Sequence, residues 1–267
     1  MHEEFELLSH EYLYQMSEPA IALGLLVLLL LVTEAGFRRG RAAGSSLSDS
    51  TKSQLSTLQG AMMGLLALLL GFSFAMAEGR FETRRQLVVE ESNAIGSTYL
   101  RSRMLGEPFK AEVAKLLREY VDARIEYFEE EVNPDRVKDA IDKSEDLQKQ
   151  VWSQAIAAVA KNPSAVPTGL FVTSLNEVID LHAQRDAARV DHVPEIVLLL
   201  LFFVAAGSMA LVGYGCGIGN RRNLQHTVAV SLIVSFVILV IMDLDRPRRG
   251  VIRVSQESMV ALRASLQ

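Results

Sequence analysis

Four long runs without a charged residue alternate with polar segments along this chain. They cover Pro19–Val32, Leu58–Ala77, Ile196–Asn220 and Asn223–Met242. A helix rises about 1.5 Å per residue, so roughly 20 residues are needed to cross the hydrocarbon core of a bilayer, which is about 30 Å thick. Three of the runs reach that length, and the first reaches it by including Glu34. The pattern predicts a polytopic membrane protein with four transmembrane helices.

Turn residues and charges between these runs divide the chain into segments. In order, they are an acidic N-terminal segment (1–18), the first span (19–37), a basic loop (38–57), the second span (58–78), a soluble helical domain (79–193), the third span (194–217), a short turn (218–224), the fourth span (225–242) and a C-terminal tail (243–267). No proline occurs between Pro19 and Pro108. Because proline is the strongest helix breaker, the helix of the second span is expected to continue to about residue 104.

The segment between the second and third spans has the pattern of an all-helical bundle. One helical face collects apolar residues at spacings of one, three and four, namely Val113, Leu116, Leu117, Tyr120, Val121 and Phe128. Asn133-Pro134 is a helix start signal, with asparagine as the cap and proline in the first turn. Asn162-Pro163 breaks the next helix. No strand-like alternation extends beyond a few residues, so the predicted fold class is an all-α integral membrane protein with a helical domain inserted between the second and third spans.

Composition excludes several functional classes. The formal net charge is −5 at pH 7 and no basic stripe is present, which argues against nucleic-acid binding. The single cysteine, Cys216, excludes a disulfide framework and a cysteine-based zinc site, and its apolar surroundings indicate packing. The five histidines do not cluster at ligand spacing, so neither a metal nor another cofactor is expected. The glycine-rich run from Gly213 to Gly219 follows a membrane span and lacks a Lys-Ser/Thr pair, so helix packing is favoured over phosphate binding. An enzyme is not predicted.

Charged residues near the ends of the spans are expected to form structural pairs. Charge at membrane depth costs about 2.5–3.5 kcal/mol at a helix centre on insertion scales, so each such residue needs a partner or a function. Glu34 lies one helical turn before Arg38, a spacing that allows neutralisation. The other residues in this group are Glu78, Arg80, Asp243, Asp245 and Arg246. Anchoring of the span ends, or pairing with a neighbouring subunit, is favoured for them.

The second span carries a stripe of residues at steps of three and four. Within the membrane the stripe is apolar and comprises Gly64, Leu68, Phe72 and Met76, and beyond it the stripe becomes polar and comprises Thr83, Gln86, Glu90, Ser97 and Arg101. In an oligomer with this face inward, an apolar neck would open into a wetted vestibule. A ring of Glu90 side chains would then favour cations. The same stripe is also compatible with a membrane-anchored helical bundle that conducts nothing.

Several stretches of the chain resemble the bestrophins and a bacterial bestrophin-like family of unknown function. In bestrophins an apolar residue or glycine followed by phenylalanine precedes an Arg-Trp pair by eight residues, and here Gly71-Phe72 precedes Arg80-Phe81 at that distance. The resemblance to the bacterial bestrophin-like family extends further along the chain and lies in Glu34–Gly36, Gly64–Arg85, Glu90–Gly96 and Asp243–Pro247 with Gly250. The chain departs from bestrophins at Phe81 and Glu82, where tryptophans are typical. It also lacks the acidic calcium clasp of animal bestrophins, so calcium gating is not implied.

The resemblance implies a function, an assembly and an orientation. Bestrophins are pentameric ion channels with cytoplasmic termini and a cytoplasmic helical domain. We therefore expect a homo-oligomer in the bacterial inner membrane, whose partners are further copies of itself, the lipid bilayer and a small permeant ion. Nine basic residues lie near the span ends on the side of the helical domain and six on the other side, which favours a cytoplasmic domain, but the acidic N-terminus without basic residues argues against it. The cytoplasmic placement therefore depends on the resemblance. The alternative is a membrane-anchored scaffold or sensor that binds a partner through its soluble bundle.

Overall fold

The computed structural model describes residues 16–43, 48–129, 134–162, 166–220, 222–246 and 251–266, which contain α-helices, short turns and no β-strand. In chain order the helices in these ranges are α1 (Glu18–Ala43), α2 (Asp49–Ser102), α3 (Phe109–Glu129), α4 (Pro134–Lys161), α5 (Val166–Val190), α6 (Glu195–Ile218), α7 (Leu224–Asp245) and α8 (Glu257–Ser265). Among the described residues, four helical segments are long and apolar enough to cross a membrane; two match α1 and α7, one lies within α2, and one includes α6. The predicted all-α membrane fold is confirmed.

The first two of these helices extend well beyond the spans predicted within them. α1 continues to Ala43, and α2 already begins at Asp49. Ser48 caps α2, because its Oγ accepts the backbone N–H of Thr51 at 3.3 Å. The basic loop predicted over 38–57 is therefore largely helical, since arginine favours helix and a helix need not end at the membrane surface. Most of the acidic segment predicted over 1–18 lies outside the described residues, as do Arg221 and residues 247–250.

The chain divides into two compact units. The membrane unit comprises Met1–Gly79 and His192–Arg246, and the helical unit comprises Arg80–Asp191 and Pro247–Gln267. The helical unit thus contains most of the soluble domain predicted over 79–193, and it also includes the C-terminal tail. The tail belongs there because Val254 and Met259 are buried in the apolar core of that unit.

Glycines bring two helices of the membrane unit into close contact. A Cβ atom at Gly36 of α1 would lie 3.1 Å from the carbonyl carbon of Ala210 in α6, and one at Gly213 of α6 would lie 2.8 Å from that of Thr33 in α1. Gly217 approaches the backbone of α1 as closely. Small residues allow this spacing in lipid, where helices associate through packing. The predicted use of the glycine-rich run in helix packing is confirmed at Gly213 and Gly217.

The core of the helical unit is formed by the second half of α2 together with α3, α4, α5 and the C-terminal tail. Its most deeply buried apolar side chains include Ile95, Leu117, Val151, Phe171 and Leu175. These residues recur at helical spacing on one face of each helix, which explains why the segment forms a bundle. The same core also encloses charged side chains.

Candidate functional site

The first half of α2, which lies in the membrane unit, presents large apolar side chains on its surface. The exposed fraction is 60% for Phe72, 53% for Leu68 and 36% for Met76. Gly64, about 80° round the helix from Phe72, is also exposed. The buried residues of this half lie about 100–140° round the helix from Phe72; they are Leu66, Ser73 and Ala77. Within the described residues, the four positions predicted to form a neck therefore remain exposed at the surface.

The glycines of this half of α2 also face open space. A Cβ atom at Gly60, Gly64, Gly71 or Gly79 would meet no atom within 4 Å outside its own helix. This differs from several glycines of α1 and α6, which approach a facing backbone. Gly60, Gly64 and Gly71 lie roughly 80–120° round the helix from Phe72, beside the exposed apolar face. These three glycines form a glycine strip that is suited to close helix contact and lies beside the exposed apolar face.

The polar residues predicted for a vestibule follow on the second half of α2. Thr83, Gln86 and Ser97 are exposed, whereas Glu90 and Arg101 are half-buried. The Nε2 of Gln86 donates to Oε1 of Glu90 at 2.8 Å, which holds this carboxylate at the surface. Nη1 of Arg101 donates to the carbonyl of Leu170 at 3.2 Å. All five predicted positions reach solvent at least in part.

Glu34 lies between two arginines. Its Oε1 is 2.9 Å from Nε of Arg38, the partner expected one turn later, and its Oε2 is 2.6 Å from Nη2 of Arg222. Arg222 is far away in sequence and was not expected as a partner. The second contact links α1 to the start of α7, and the guanidinium of Arg222 also lies 5.4 Å from the ring centroid of Phe37.

The charged residues at the end of α7 are held within their own unit. Nη1 of Arg246 lies 3.4 Å from Oε1 of the buried Glu18. Oδ2 of Asp245 accepts the backbone N–H of Val193 at 2.8 Å, and Asp243 is buried nearby in sequence. These contacts tie the end of α7 to the starts of α1 and α6 without a second copy of the chain.

Arg80 pairs with a residue other than its neighbour Glu78. Its Nε lies 3.3 Å from Oδ2 of Asp191. Glu78 is exposed. Residues two apart on a helix do not face each other, so a direct pair between Glu78 and Arg80 is disfavoured.

A buried ionic cluster in the helical unit was not predicted from the sequence. Glu91 is fully buried, with Oε1 2.9 Å from Nε of Arg124 and Oε2 2.6 Å from Nη1 of Arg185. The hydroxyl of Tyr120 donates to Oε1 of Glu91 at 2.9 Å. Nη2 of Arg185 donates to Gln256 at 2.8 Å, so the cluster joins α2, α3, α5 and the C-terminal tail.

The cluster extends outward from Tyr120 towards solvent. The Tyr120 hydroxyl lies 2.9 Å from Nδ1 of His182 and accepts Nε2–H of Gln148 at 3.2 Å. Nε2 of His182 lies 3.2 Å from Oδ2 of Asp186, which is only partly buried. One continuous set of polar contacts therefore runs from the centre of the bundle to its surface.

Burial and charge act in opposite directions on Glu91. Burial alone raises the pKa of this carboxyl, but Arg124 and Arg185 outweigh burial and hold the pKa below its usual value. Burial, reinforced by the charge of Glu91, raises the pKa of Tyr120 well above its usual value. Glu91 is thus ionised and Tyr120 neutral at pH 7.

One sequence signal marks this cluster. Arg124 lies one turn after Tyr120 and one turn before Phe128, in the middle of the apolar face of α3. A charged residue at the centre of an apolar face needs a buried partner. The sequence does not say that the partner is Glu91, because the two residues lie on different helices.

The structure offers no obvious metal site within the described ranges. No three His, Cys, Asp or Glu side chains among those residues come together in a way that could hold a metal ion.

Comparison with known proteins identifies the family and the fold. The family model for the bestrophin-like domain matches residues 25–259. None of the curated proteins compared with the chain matches it. Solved structures of bacterial Bestrophin homologues do match it over nearly their whole length.

Three examples, all from Klebsiella pneumoniae, show the extent of the likeness. A variant with a tryptophan replaced by alanine has a TM-score of 0.65 and 15% identity, covering 94% of this chain and 97% of that chain. A variant with an aspartate replaced by alanine has a TM-score of 0.64 and 16% identity, with 94% and 98% covered. A homologue solved by Zn-SAD phasing has a TM-score of 0.64 and 15% identity, with 92% and 95% covered. At this identity the likeness to solved structures shows a shared fold. Because the family model matches most of the length of this chain, the chain belongs to the bestrophin-like domain family.

Proposed function

We propose that this protein is a homo-oligomeric ion channel of the bestrophin kind, with the second transmembrane helix lining its pore. The family and the fold support a channel function in a multi-pass membrane protein, and bestrophins are channels rather than enzymes. The finer proposal is a pentamer in the bacterial inner membrane, with termini and helical unit in the cytoplasm. Leu68, Phe72 and Met76 form its apolar neck.

The exposed face of α2 is the observation that carries this proposal. A scaffold without a pore could bury the Phe72 face against its own spans, yet Phe72 is 60% exposed. The adjacent glycines favour contact with another copy of α2. Gly36 and Gly213 already approach a facing backbone within the chain, whereas Gly64 and Gly71 of α2 are open for such contact.

Helix geometry relates the glycine strip of α2 to the orientation of the Phe72 face. If neighbouring copies of α2 meet at the glycine strip, the Phe72 face about 100° away turns towards the symmetry axis. A ring of apolar side chains there would gate by dewetting. The polar residues that continue along this face, Thr83, Gln86 and Glu90 among them, would line the wider vestibule.

Single-channel recording with matched phenylalanine variants tests the proposal. Wild type, Phe72→Ala and Phe74→Ala are purified, shown to form the same oligomer and recorded in planar bilayers under asymmetric salt. Phe74 is 41% exposed at nearly the same depth but lies about 200° round the helix from Phe72. We expect discrete conductance that is larger in Phe72→Ala and unchanged in Phe74→Ala.

Two outcomes contradict the proposal in different ways. Equal conductance changes in both variants would remove the Phe72 face from the pore. Silence from intact oligomers of all three proteins would favour the membrane-anchored scaffold or sensor.

A further inference from the structure

A cavity in the membrane unit lies between α1, α6 and α7, next to the turn that joins α6 to α7. Its volume is about 200 Å³, and most of its lining is apolar. The apolar side chains include Leu30 and Phe37 of α1 and Leu224 and Val228 of α7. Pockets that enclose a whole small molecule usually measure about 300–1,000 Å³, so this cavity fits a segment of a longer apolar molecule.

The charged residues at this cavity carry an excess of positive charge. Glu34 and Arg222 both line the cavity, and Glu34 also binds Arg38. One carboxylate is therefore shared between two guanidiniums, which remain charged in proteins, so the excess cannot be relieved by loss of a proton. Among the described residues, Arg222 donates a side-chain hydrogen bond only through Nη2, and its side chain is 59% exposed. Its Nε and Nη1 are thus available to a ligand.

The two chain segments beside the cavity are themselves rich in basic residues. Residues 38–57 and 218–224 contain six of them, namely Arg38, Arg39, Arg41, Lys52, Arg221 and Arg222. The acidic residues of these segments and of the cavity lining are two, Glu34 and Asp49. Six positive charges against two negative ones leave an excess of four, and this count holds however the individual side chains pair.

The surroundings of the cavity indicate a lipid rather than a soluble anion. α1, α6 and α7 belong to segments that are long and apolar enough to cross a membrane. Hydrocarbon is therefore the solvent around the apolar lining, and lipid headgroups lie at the level where a span meets its charged flanking residues. Basic pockets between transmembrane helices are suited to the headgroups of anionic lipids.

We propose that this cavity binds an anionic phospholipid, with part of one acyl chain between α1 and α7 and the phosphate on Arg222. The apolar lining takes the hydrocarbon, while phosphate oxygens match the planar fork of guanidinium donors. The bound lipid bridges α1 and α7, which Glu34 and Arg222 already connect. The site requires neither a pore nor a particular number of subunits.

Alkylation of Cys216 reports whether the cavity is occupied. Cys216 is the only cysteine of the chain and lines this cavity, where it is partly exposed. Full-length protein in dodecyl maltoside is titrated with phosphatidylglycerol or with phosphatidylcholine, and labelling by monobromobimane is followed by fluorescence. Phosphatidylglycerol should protect the thiol at a concentration lower by about fivefold or more, the equivalent of about 1 kcal/mol from one basic residue. Equal protection by the two lipids, or labelling that neither lipid slows, would overturn the proposal.

Two variants that break the same ion pair should change the lipid preference in opposite directions. Arg222→Gln removes the cation that holds the phosphate and should abolish the preference for phosphatidylglycerol. Glu34→Gln releases Arg222 from its carboxylate and should increase that preference. The control Arg39→Gln removes an exposed arginine outside the lining and should retain the preference of wild type. If Arg222→Gln and Glu34→Gln shift the preference in the same direction, the ion pair acts only through structure and the proposal fails.

A phenylalanine in the cavity tests the position of the acyl chain. Val228→Phe fills the apolar lining without changing a charge, whereas Ile233→Phe adds the ring at an exposed position of the same helix. Phosphatidylglycerol should raise the melting temperature of wild type and of Ile233→Phe in a saturable manner, but not that of Val228→Phe. A Val228→Phe protein that responds like wild type would place the lipid elsewhere and overturn the proposal.

Discussion

Replacement of Gly213 by alanine tests the contact between α1 and α6. The added methyl would lie 2.8 Å from the carbonyl carbon of Thr33 and 3.0 Å from its Cα. Carbon atoms in contact are normally about 3.5–4.0 Å apart, so the two helices must separate by about 1 Å. The obstructing atoms belong to the backbone of α1 and cannot turn aside as a side chain could.

The expected cost follows from that displacement. A gap of 0.5–1 Å forfeits about a quarter to a half of the dispersion attraction between facing atoms, and overpacking of a close-packed site typically costs about 1–3 kcal/mol. Alanine by itself favours helix over glycine by up to about 1 kcal/mol. Gly24 shows this second effect alone, because a Cβ atom there meets nothing within 4 Å. Since both variants gain this helix preference, it cancels in the comparison, and Gly213→Ala should be less stable than Gly24→Ala by roughly 1–3 kcal/mol.

Unfolding in mixed micelles measures this difference. Helix content is followed by circular dichroism while the mole fraction of sodium dodecyl sulfate is raised, and the two variants are compared with wild type. We expect the midpoint for Gly213→Ala to fall and that for Gly24→Ala to stay or rise. Coincident curves for the two variants would show that the close approach of α1 and α6 does not contribute to stability.

Three further predictions concern adjacent acidic residues of α2. Glu91→Gln should lower the free energy of unfolding by about 3–5 kcal/mol in denaturant titrations, since it leaves Arg124 and Arg185 without their shared carboxylate. The control, Glu90→Gln at a half-buried position, should change the free energy of unfolding by about 0.5 kcal/mol or less. Equal effects of the two variants would contradict this prediction. Folding lowers the pKa of Glu91, so the ionised carboxylate stabilises the folded protein fully above about pH 4.5, and this stabilisation is lost as the pH falls through the pKa of Glu91 in the folded state. On acidification, wild type should therefore lose stability more steeply than Glu91→Gln. Parallel pH profiles would refute that assignment. Glu90→Gln should instead reduce the cation-to-anion permeability ratio in reversal-potential measurements, and an unchanged ratio would remove Glu90 from the ion path.

The local sequence pattern was sufficient to predict the helices, but it did not predict contacts between residues that are far apart in the sequence. The start of α4 at Pro134 follows from the preference of proline for the first turn of a helix, and the continuous helix through Gly79 follows from the lack of a breaker. The pair of Glu34 and Arg38 follows from a spacing of one turn. The second partner of Glu34, Arg222, does not, because it is brought near only when α7 packs against α1.

By itself the sequence determined that this protein crosses a membrane four times and inserts a helical bundle between the second and third crossings. The length of an apolar segment is enough to predict a membrane crossing, since each such segment partitions into lipid independently of the rest of the chain. Tertiary structure decided which side of α2 stays uncovered, since that depends on where neighbouring helices such as α6 pack. It also decided that Glu91 is buried and Glu90 is not, although the two are chemically alike and adjacent. A turn of 100° per residue places one beside Arg124 and Arg185 and the other at the surface, and only the packed bundle supplies those partners.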